Sequence, residues 1–171
     1  MTQPRISKKV LLSLGSNIGD RLSYLKKAGN ELEKLDGFRI LFWSSIMETS
    51  PVGVKGQDNY LNAVLLAETS IPPLQLLKEF KAIETRLGRK DRPRWAEREI
   101  DIDILTYEGV KMETDELTLP HKELTNRLFA LKGCAELVPE MKTLYQSRFE
   151  VLSRDQIVID TEWQNIGESG Y

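Results

Sequence analysis

Residues 100–107 read IDIDILTY, and Ile100, Ile102 and Ile104 alternate there with Asp101 and Asp103. That is the period of a β-strand with one apolar and one acidic face. Two residues advance about 7 Å along a strand, so the carboxylates stand one pleat apart on the same side. The thirteen residues before Glu99, RLGRKDRPRWAER from Arg86 to Arg98, hold six basic side chains against Asp91 and Glu97. An acidic strand behind a basic loop needs an explanation for both charges.

Upstream of the loop, Pro72 and Pro73 suit the first turn of a helix. Leu76, Phe80, Ile83 and Leu87 form its core stripe and Gly88 closes it. Before that helix, NYLNAVLLAET (residues 59–69) and FRILFWSSIMET (residues 38–49) read as strands, joined by the loop SPVGVKGQD. An earlier helix is capped by Asp20, carries Leu22, Leu25, Ala28, Leu32 and Leu35 at helical spacing, and ends by Gly37. The short apolar run VLLSL (residues 10–14) is a buried strand, and GSNIGD after it is a turn. Strand-helix-strand-strand-helix-strand is the order of the ferredoxin-like, split βαβ arrangement of an α+β domain. Downstream, residues 108–121 read as a hairpin-like connection. Leu124, Leu128, Leu131 and Ala135 have helical spacing, residues 149–159 read as a short terminal hairpin, and residues 161–171 as a loose tail. One domain over residues 1–171, with a core of about 10–160, is the expectation.

With 24 basic and 26 acidic residues the net charge is −2. Such a balance gives no support for a nucleic-acid or membrane partner that reads bulk charge. The apolar run after the basic leader MTQPRISKK is too short for a signal peptide or a membrane span. Cys134 is the only cysteine, which excludes an intrachain disulfide and fits a cytoplasmic protein; its plainest reading is a small buried hydrophobe. A lone histidine, His121, cannot build a His-rich zinc site.

Asp101 and Asp103 can hold hard cations, since carboxylates suit Mg²⁺ together with substrate phosphates. The plainer alternative is a strand whose outer face is merely acidic. Arginines beside such a pair suit a metal–polyphosphate ligand, whereas a solvated basic loop would make surface pairs worth about 0–1 kcal/mol each. Trp95 either half-buries at a core edge or stacks on a flat ligand. Tyr60 and Asn62 share one strand face, and an asparagine can read a heterocycle edge through its donor and acceptor. Glu84 reads most simply as a helix-surface charge. GSN (residues 15–17) lacks the Lys and spacing of a Walker A loop, and a structural turn is its default.

Taken in order, SLGSNIGDR, ETSPVGVKGQDNYLNAV, IETRLGR, RWAEREIDIDIL and LPHKELTNRLFAL closely resemble the 6-hydroxymethyl-7,8-dihydropterin pyrophosphokinase family over about Val10 to Pro139. The resemblance implies transfer of pyrophosphate from ATP to the pterin's hydroxymethyl group, with release of AMP. It further implies two Mg²⁺ ions on Asp101 and Asp103, with Arg89 and Arg98 stabilising the transferring charge. It assigns ATP contacts to Glu84, Arg89, Trp95, Arg98, Thr118, His121 and Arg127. It assigns pterin contacts to Thr49 and Val52 through the backbone, to Tyr60 and Asn62 through side chains, and to a sandwich of Trp95 and Phe129. Two positions depart from the family's habit: Glu97 stands where a proline is common, and Met47 where an aromatic is common. The implied partners are small molecules only, and the implied state is a monomer.

Both aspartates are expected to be ionised near neutrality, from a reference pKa of about 3.9. Repulsion within the basic loop is expected to keep residues 89–98 open as a lid until a triphosphate supplies countercharge. A two-metal nucleotidyltransferase or nuclease, and a nucleotide-binding module without turnover, are the alternatives. The first would need a larger basic track.

Overall fold

A computed structural model describes residues 6–51 and 53–161. Strand β1 (Lys8–Ser16) lies between β5 (Asp101–Tyr107) and β4 (Tyr60–Thr69), antiparallel to both. On the far side of β4 lie β2 (Phe38–Trp43) and β3 (Ile46–Thr49), and β8 (Val158–Thr161) adds to the outer edge of β3. Without β8, this is the order of a ferredoxin-like sheet. The intervening helices are α1 (Arg21–Glu33) and α2 (Pro73–Arg86). The Asp20 side chain caps α1, accepting from the Ser23 amide at 3.0 Å, and Pro73 opens α2.

Residues 38–49 form two strands where the sequence suggests one. The Ser44 hydroxyl accepts the Val64 amide at 2.8 Å. The amide and hydroxyl of Ser45 both donate to Glu136 at 2.9 Å, turning that residue away from the ladder. After the small β6 (Met112–Glu113) and β7 (Thr118–Leu119) hairpin come α3 (Leu128–Leu137), α4 (Glu140–Leu144) and α5 (Gln146–Asp155). The helix carrying Leu131 starts only at Leu128; Leu124 precedes it in a turn but is still buried. The expected terminal hairpin is instead α5 followed by β8, which pairs with β3. The expected tail begins inside β8 with Thr161, and residues 162–171 lie outside the described part. Among the described residues, no helix is long and apolar enough to cross a membrane.

The sheet is covered on both faces. Val10, Leu12, Leu14, Ile102 and Ile104 pack with α1 and α2. Leu11, Val64, Leu66 and Leu105 pack with Leu128, Leu131 and Cys134 of α3. Because β1 alternates between two apolar layers, its sequence is nearly continuous in apolar residues. On the α3 face, three strands change character in the same direction. The row Leu66–Leu11 gives way to Val64–Ser13–Asp103 and then to Asn62–Gly15–Asp101. The core therefore ends, and a polar floor begins, at one end of the sheet.

Helix α3 approaches β4 closely at Gly133. A Cβ there would sit 2.3 Å from Val64 Cγ2 and 2.7 Å from Val64 Cβ. Gly133→Ala gains roughly 0.5–1 kcal/mol of helix preference, but overpacking typically costs about 1–3 kcal/mol, and Val64 is a stiff β-branched residue on a central strand. The expected result is a net loss of stability, read as a lower urea midpoint. An unchanged or higher midpoint would show that α3 has slack.

Candidate active site

The polar row is extended on β3 by Met47, which pairs with Asn62. Met47 is buried, its methyl against the Gly133 position, so it serves here as core. Next to it, Asn62 is buried and donates through Nδ2 to the Thr49 hydroxyl at 2.8 Å. That bond sets the orientation of the carboxamide and turns Oδ1 toward Gly15. A Cβ at position 15 would lie 2.9 Å from that oxygen. Gly15 is thus a bare floor between Asn62 and Asp101, whose strands are roughly 10 Å apart by sheet spacing.

Asp101 and Asp103 share the face of this floor, as the alternation requires. Arg89, just beyond α2, places Nη2 3.0 Å from Asp101 Oδ1 and Nη1 on Glu84. Glu84 is not a surface charge. Its side chain is only 2% exposed, and its second oxygen accepts the Ile102 amide at 2.8 Å. Both of its oxygens are held by protein donors, so it positions Arg89 and β5. Burial pushes the Asp101 carboxyl up to about 6, the adjacent Asp103 charge pushes the same way, and Arg89 opposes both. The reference value assumed from sequence is too low for this carboxyl, although it stays mostly ionised at pH 7. Burial opposes the charge on Arg89, but Asp101 and Glu84 outweigh it and raise its pKa.

Tyr60 joins the same field. Burial raises its phenol, Asp101 adds to the rise, and Arg98, Arg127 and Arg89 act against it. His121 is tied to β5 by its amide on the Leu105 carbonyl at 2.8 Å. Its Nδ1 accepts from the Glu123 amide at 3.1 Å. Burial and the Arg127 charge lower its pKa while Asp103 raises it, so the neutral ring carries its proton on Nε2. His121, Arg127 and Phe129 line one small cavity with Ser13 and Asp103. Thr118 lies on β7, which packs against β5. Val52 lies outside the described residues. Burial raises the Cys134 thiol to about 12, in keeping with an inert core residue.

The basic loop is more ordered than its charge suggests. Arg92 pairs with buried Glu99, at 2.7 Å and 2.8 Å to its two oxygens. Arg98 folds its guanidinium onto the loop's own carbonyls, at 2.8 Å to Arg94, 3.3 Å to Pro93 and 3.5 Å to Arg92. Trp95 is 59% exposed, with the Arg94 guanidinium 5.1 Å over its ring. Ion pairs and carbonyls, rather than a future ligand, neutralise much of the expected repulsion. Sequence reading missed Glu99, Gly15 and Asn17; only the GSN turn and the acid after Arg98 hinted at them.

The fold is a ferredoxin-like α+β domain whose polar floor sets an acidic pair beside arginines. The family model for 7,8-dihydro-6-hydroxymethylpterin-pyrophosphokinase (HPPK) matches residues 11–139. An Aquifex aeolicus 2-amino-4-hydroxy-6-hydroxymethyldihydropteridine pyrophosphokinase is 44% identical over 133 residues, covering 77% of this chain and 81% of that protein. The Bacillus subtilis protein of the same name is 39% identical over 131 residues, covering 77% and 78%. The chain belongs to the HPPK family. The solved Plasmodium falciparum HPPK-DHPS with pteroate shares the fold at a TM-score of 0.68 and 15% identity. The match covers 91% of this chain and 45% of that one, so this chain spans less than half of the two-part protein.

The electrostatics can be read directly. In the metal-free protein, ¹³C NMR of labelled aspartate should show one carboxyl titrating near pH 6. In Asp103→Asn it should move down, because removing a like charge favours ionisation. The absence of any aspartate titrating above pH 5 would contradict the description of the pair.

Proposed function

We propose that this chain transfers pyrophosphate from ATP to the hydroxymethyl oxygen of 6-hydroxymethyl-7,8-dihydropterin, releasing AMP, as a step of folate biosynthesis. The observation that carries the reading is the polar row, in which Asn62, bare Gly15 and Asp101 lie side by side within the family match. It offers a heterocycle reader and a phosphate-side acid pair on one floor.

The donor set fits Mg²⁺. Two carboxylates share a face, and among the described residues Arg89 alone is ion-paired to Asp101, so the pair stays short of positive charge. Hard oxygen ligands of this kind suit Mg²⁺ shared with phosphates. Asp101 and Asp103 would hold two such ions, whose chemistry is to neutralise phosphate charge and polarise the β-phosphorus. The chain's own groups do the positioning. Asn62, held by Thr49, pairs with the pterin edge, beside Tyr60. Trp95 and Phe129 clamp the ring, and the backbone near Thr49 borders it. Glu84 orients Arg89 at the phosphates; Arg98, Arg127, Thr118 and the Nε2–H of His121 donate to the nucleotide.

In the transfer, the hydroxymethyl oxygen bonds to the β-phosphorus and gives up its proton to water. The bond from that phosphorus to the α–β bridging oxygen breaks, and AMP leaves with the oxygen. His121 has Nδ1 occupied and lacks a free base nitrogen, so positioning and charge lower the barrier, as in other phosphoryl transfers. Phosphates entering the site compete with the loop carbonyls for Arg98. All these groups come from one chain, so a monomer suffices.

Incubation with ATP, Mg²⁺ and the hydroxymethyl dihydropterin should yield AMP and the pterin diphosphate. Asp101→Ala and Asp103→Ala should each lower kcat by at least the roughly 10²–10³-fold typical of losing one oxyanion donor, with circular dichroism unchanged. Pyrophosphate release with a polymeric substrate, or no turnover, would favour the alternatives.

Asn62→Ala should weaken pterin binding by roughly tenfold or more, from the ~1–3 kcal/mol of an unpaired buried group, and ATP binding far less. Gly15→Ala should act in the same direction by displacing the Asn62 carboxamide from Thr49. Calorimetric titration with each ligand separates the cases; equal loss of both affinities would contradict the assignment.

A further inference from the structure

Helix α3 starts at a residue poorly suited to a helix end. Its N-cap is Arg127, whose side chain makes no capping bond. N-caps are usually Asn, Asp, Ser or Thr, which satisfy an orphan amide of the first turn, and a cation at that end opposes the helix dipole. The cap comes instead from far along the chain. Gln156 accepts the Leu128 amide on Oε1 at 2.9 Å and donates from Nε2 to the Asn126 carbonyl at 2.7 Å. One carboxamide thus grips the groups on either side of Arg127, whose backbone is extended at φ −119° and ψ 114°. Gln156 is itself fixed from both sides. Its amide closes α5 on the Leu152 carbonyl at 2.8 Å, and β8 follows, with Val158 paired to Thr49. It lies beyond residues 11–139, which the family model matches.

We infer that Gln156 is a positioning residue: it caps α3 from a distance and holds Arg127 extended, which leaves the arginine side chain to serve the nucleotide. This rests on the proposed function for the identity of that ligand. A local rule is broken where the site needs a cation, and the compensation comes from outside the helix. Arg127 lines a small cavity with Asp103, His121 and Phe129, so a turn of its backbone would carry the guanidinium away from the acid pair. The role needs one acceptor and one donor on a side chain long enough to reach both partners, which the carboxamide of a glutamine supplies. Other anchors survive a change at Gln156. Arg148 holds the preceding turn, donating to the Thr125 carbonyl at 2.9 Å and to Asn126 Oδ1 at 3.2 Å. The Arg127 carbonyl still accepts the Leu131 amide at 3.2 Å, and α3 rests on β4 where Gly133 meets Val64. Phe129, inside the helix, therefore keeps its place when Arg127 at its start does not.

The experiment compares wild type with Gln156→Leu, which lacks both polar atoms, and with Gln156→Asn, which is too short to span both partners. Calorimetry gives the affinity for α,β-methylene ATP with Mg²⁺, and then for the pterin on the nucleotide-saturated protein. Both are repeated with Arg127→Ala, alone and combined with Gln156→Leu. Nitrogen relaxation gives the order parameter of the Arg127 amide in the free protein. Each Gln156 variant should lose nucleotide affinity by roughly fivefold or more, since only molecules that hold Arg127 in place bind fully. Pterin affinity should stay within about twofold. In the Arg127→Ala background, Gln156→Leu should change nucleotide affinity by less than about twofold, because a residue acting only through Arg127 has nothing left to position. The Arg127 order parameter should fall from about 0.85 toward about 0.6. A merely structural role would lower both affinities and persist in the Arg127→Ala background, and either result overturns the proposal. Unchanged nucleotide affinity overturns it too. If wild type binds no nucleotide, the substrate reading fails separately, and the Arg127 order parameter alone decides the positioning role, an unchanged value overturning it.

Discussion

A sheet covered on both faces offers ionised side chains no water except at its ends, and β5 carries two carboxylates. Taking a charge out of water costs several kcal/mol even after relaxation. Asp101 and Asp103 are tolerable only because the α3 layer stops at Leu105, where the floor opens. Arg89 supplies a single guanidinium, and it is shared with the buried Glu84. Glu84 would itself be an uncompensated buried charge without the Ile102 amide, that arginine and Lys81, whose Nζ lies 3.4 Å from it. Asp101 and Glu84 therefore share one arginine, and burial, with the adjacent Asp103 charge, raises the Asp101 pKa against it. Among the described residues, Arg89 is the one arginine in an ion pair with Asp101. Arg92 is spent on Glu99 and Arg98 on carbonyls.

Much of this architecture is legible from period alone. The alternation of Ile100 to Ile104, the stripes of α1 and α2, the Asp20 cap and the Pro72–Pro73 entry are local signals, and each stands where it points. The misreadings have tertiary causes. Residues 38–49 look like one strand because nothing local says that Ser44 will take the Val64 amide or that Glu136 will claim Ser45. Phe149 and Val151 alternate, which suggests a strand. The segment is nevertheless helical, with Leu152 buried and Phe149 partly buried against the α3 layer. The partner of β8 is more than a hundred residues upstream.

The site was legible as a set of residue types and not as a circuit. Counting charge made the basic loop look self-repelling, because pairing between Arg92 and Glu99 across seven positions of irregular chain has no period to betray it. Glu84 reads as a surface charge on the flank of a helix, and its burial depends on where Arg89 and Ile102 lie in space. Gly15 is invisible as a site residue for the opposite reason. What matters is the side chain it lacks, beneath the Asn62 oxygen.

Backbone and side chains in the basic loop are ordered to different degrees, and that difference bears on binding. The Trp95 carbonyl and the Arg98 amide are already tied down, so much of the ordering cost of the loop is met during folding. The Trp95 ring stays open to solvent, and Arg98 rests on carbonyls that water can satisfy in its place. A ligand would then have to reorganise only two side chains, each costing about 0.5–1.5 kcal/mol when immobilised, rather than a ten-residue lid whose backbone alone would cost roughly 1–2 kcal/mol per residue. Closure over this floor would on these terms be a movement of side chains on a prepared loop.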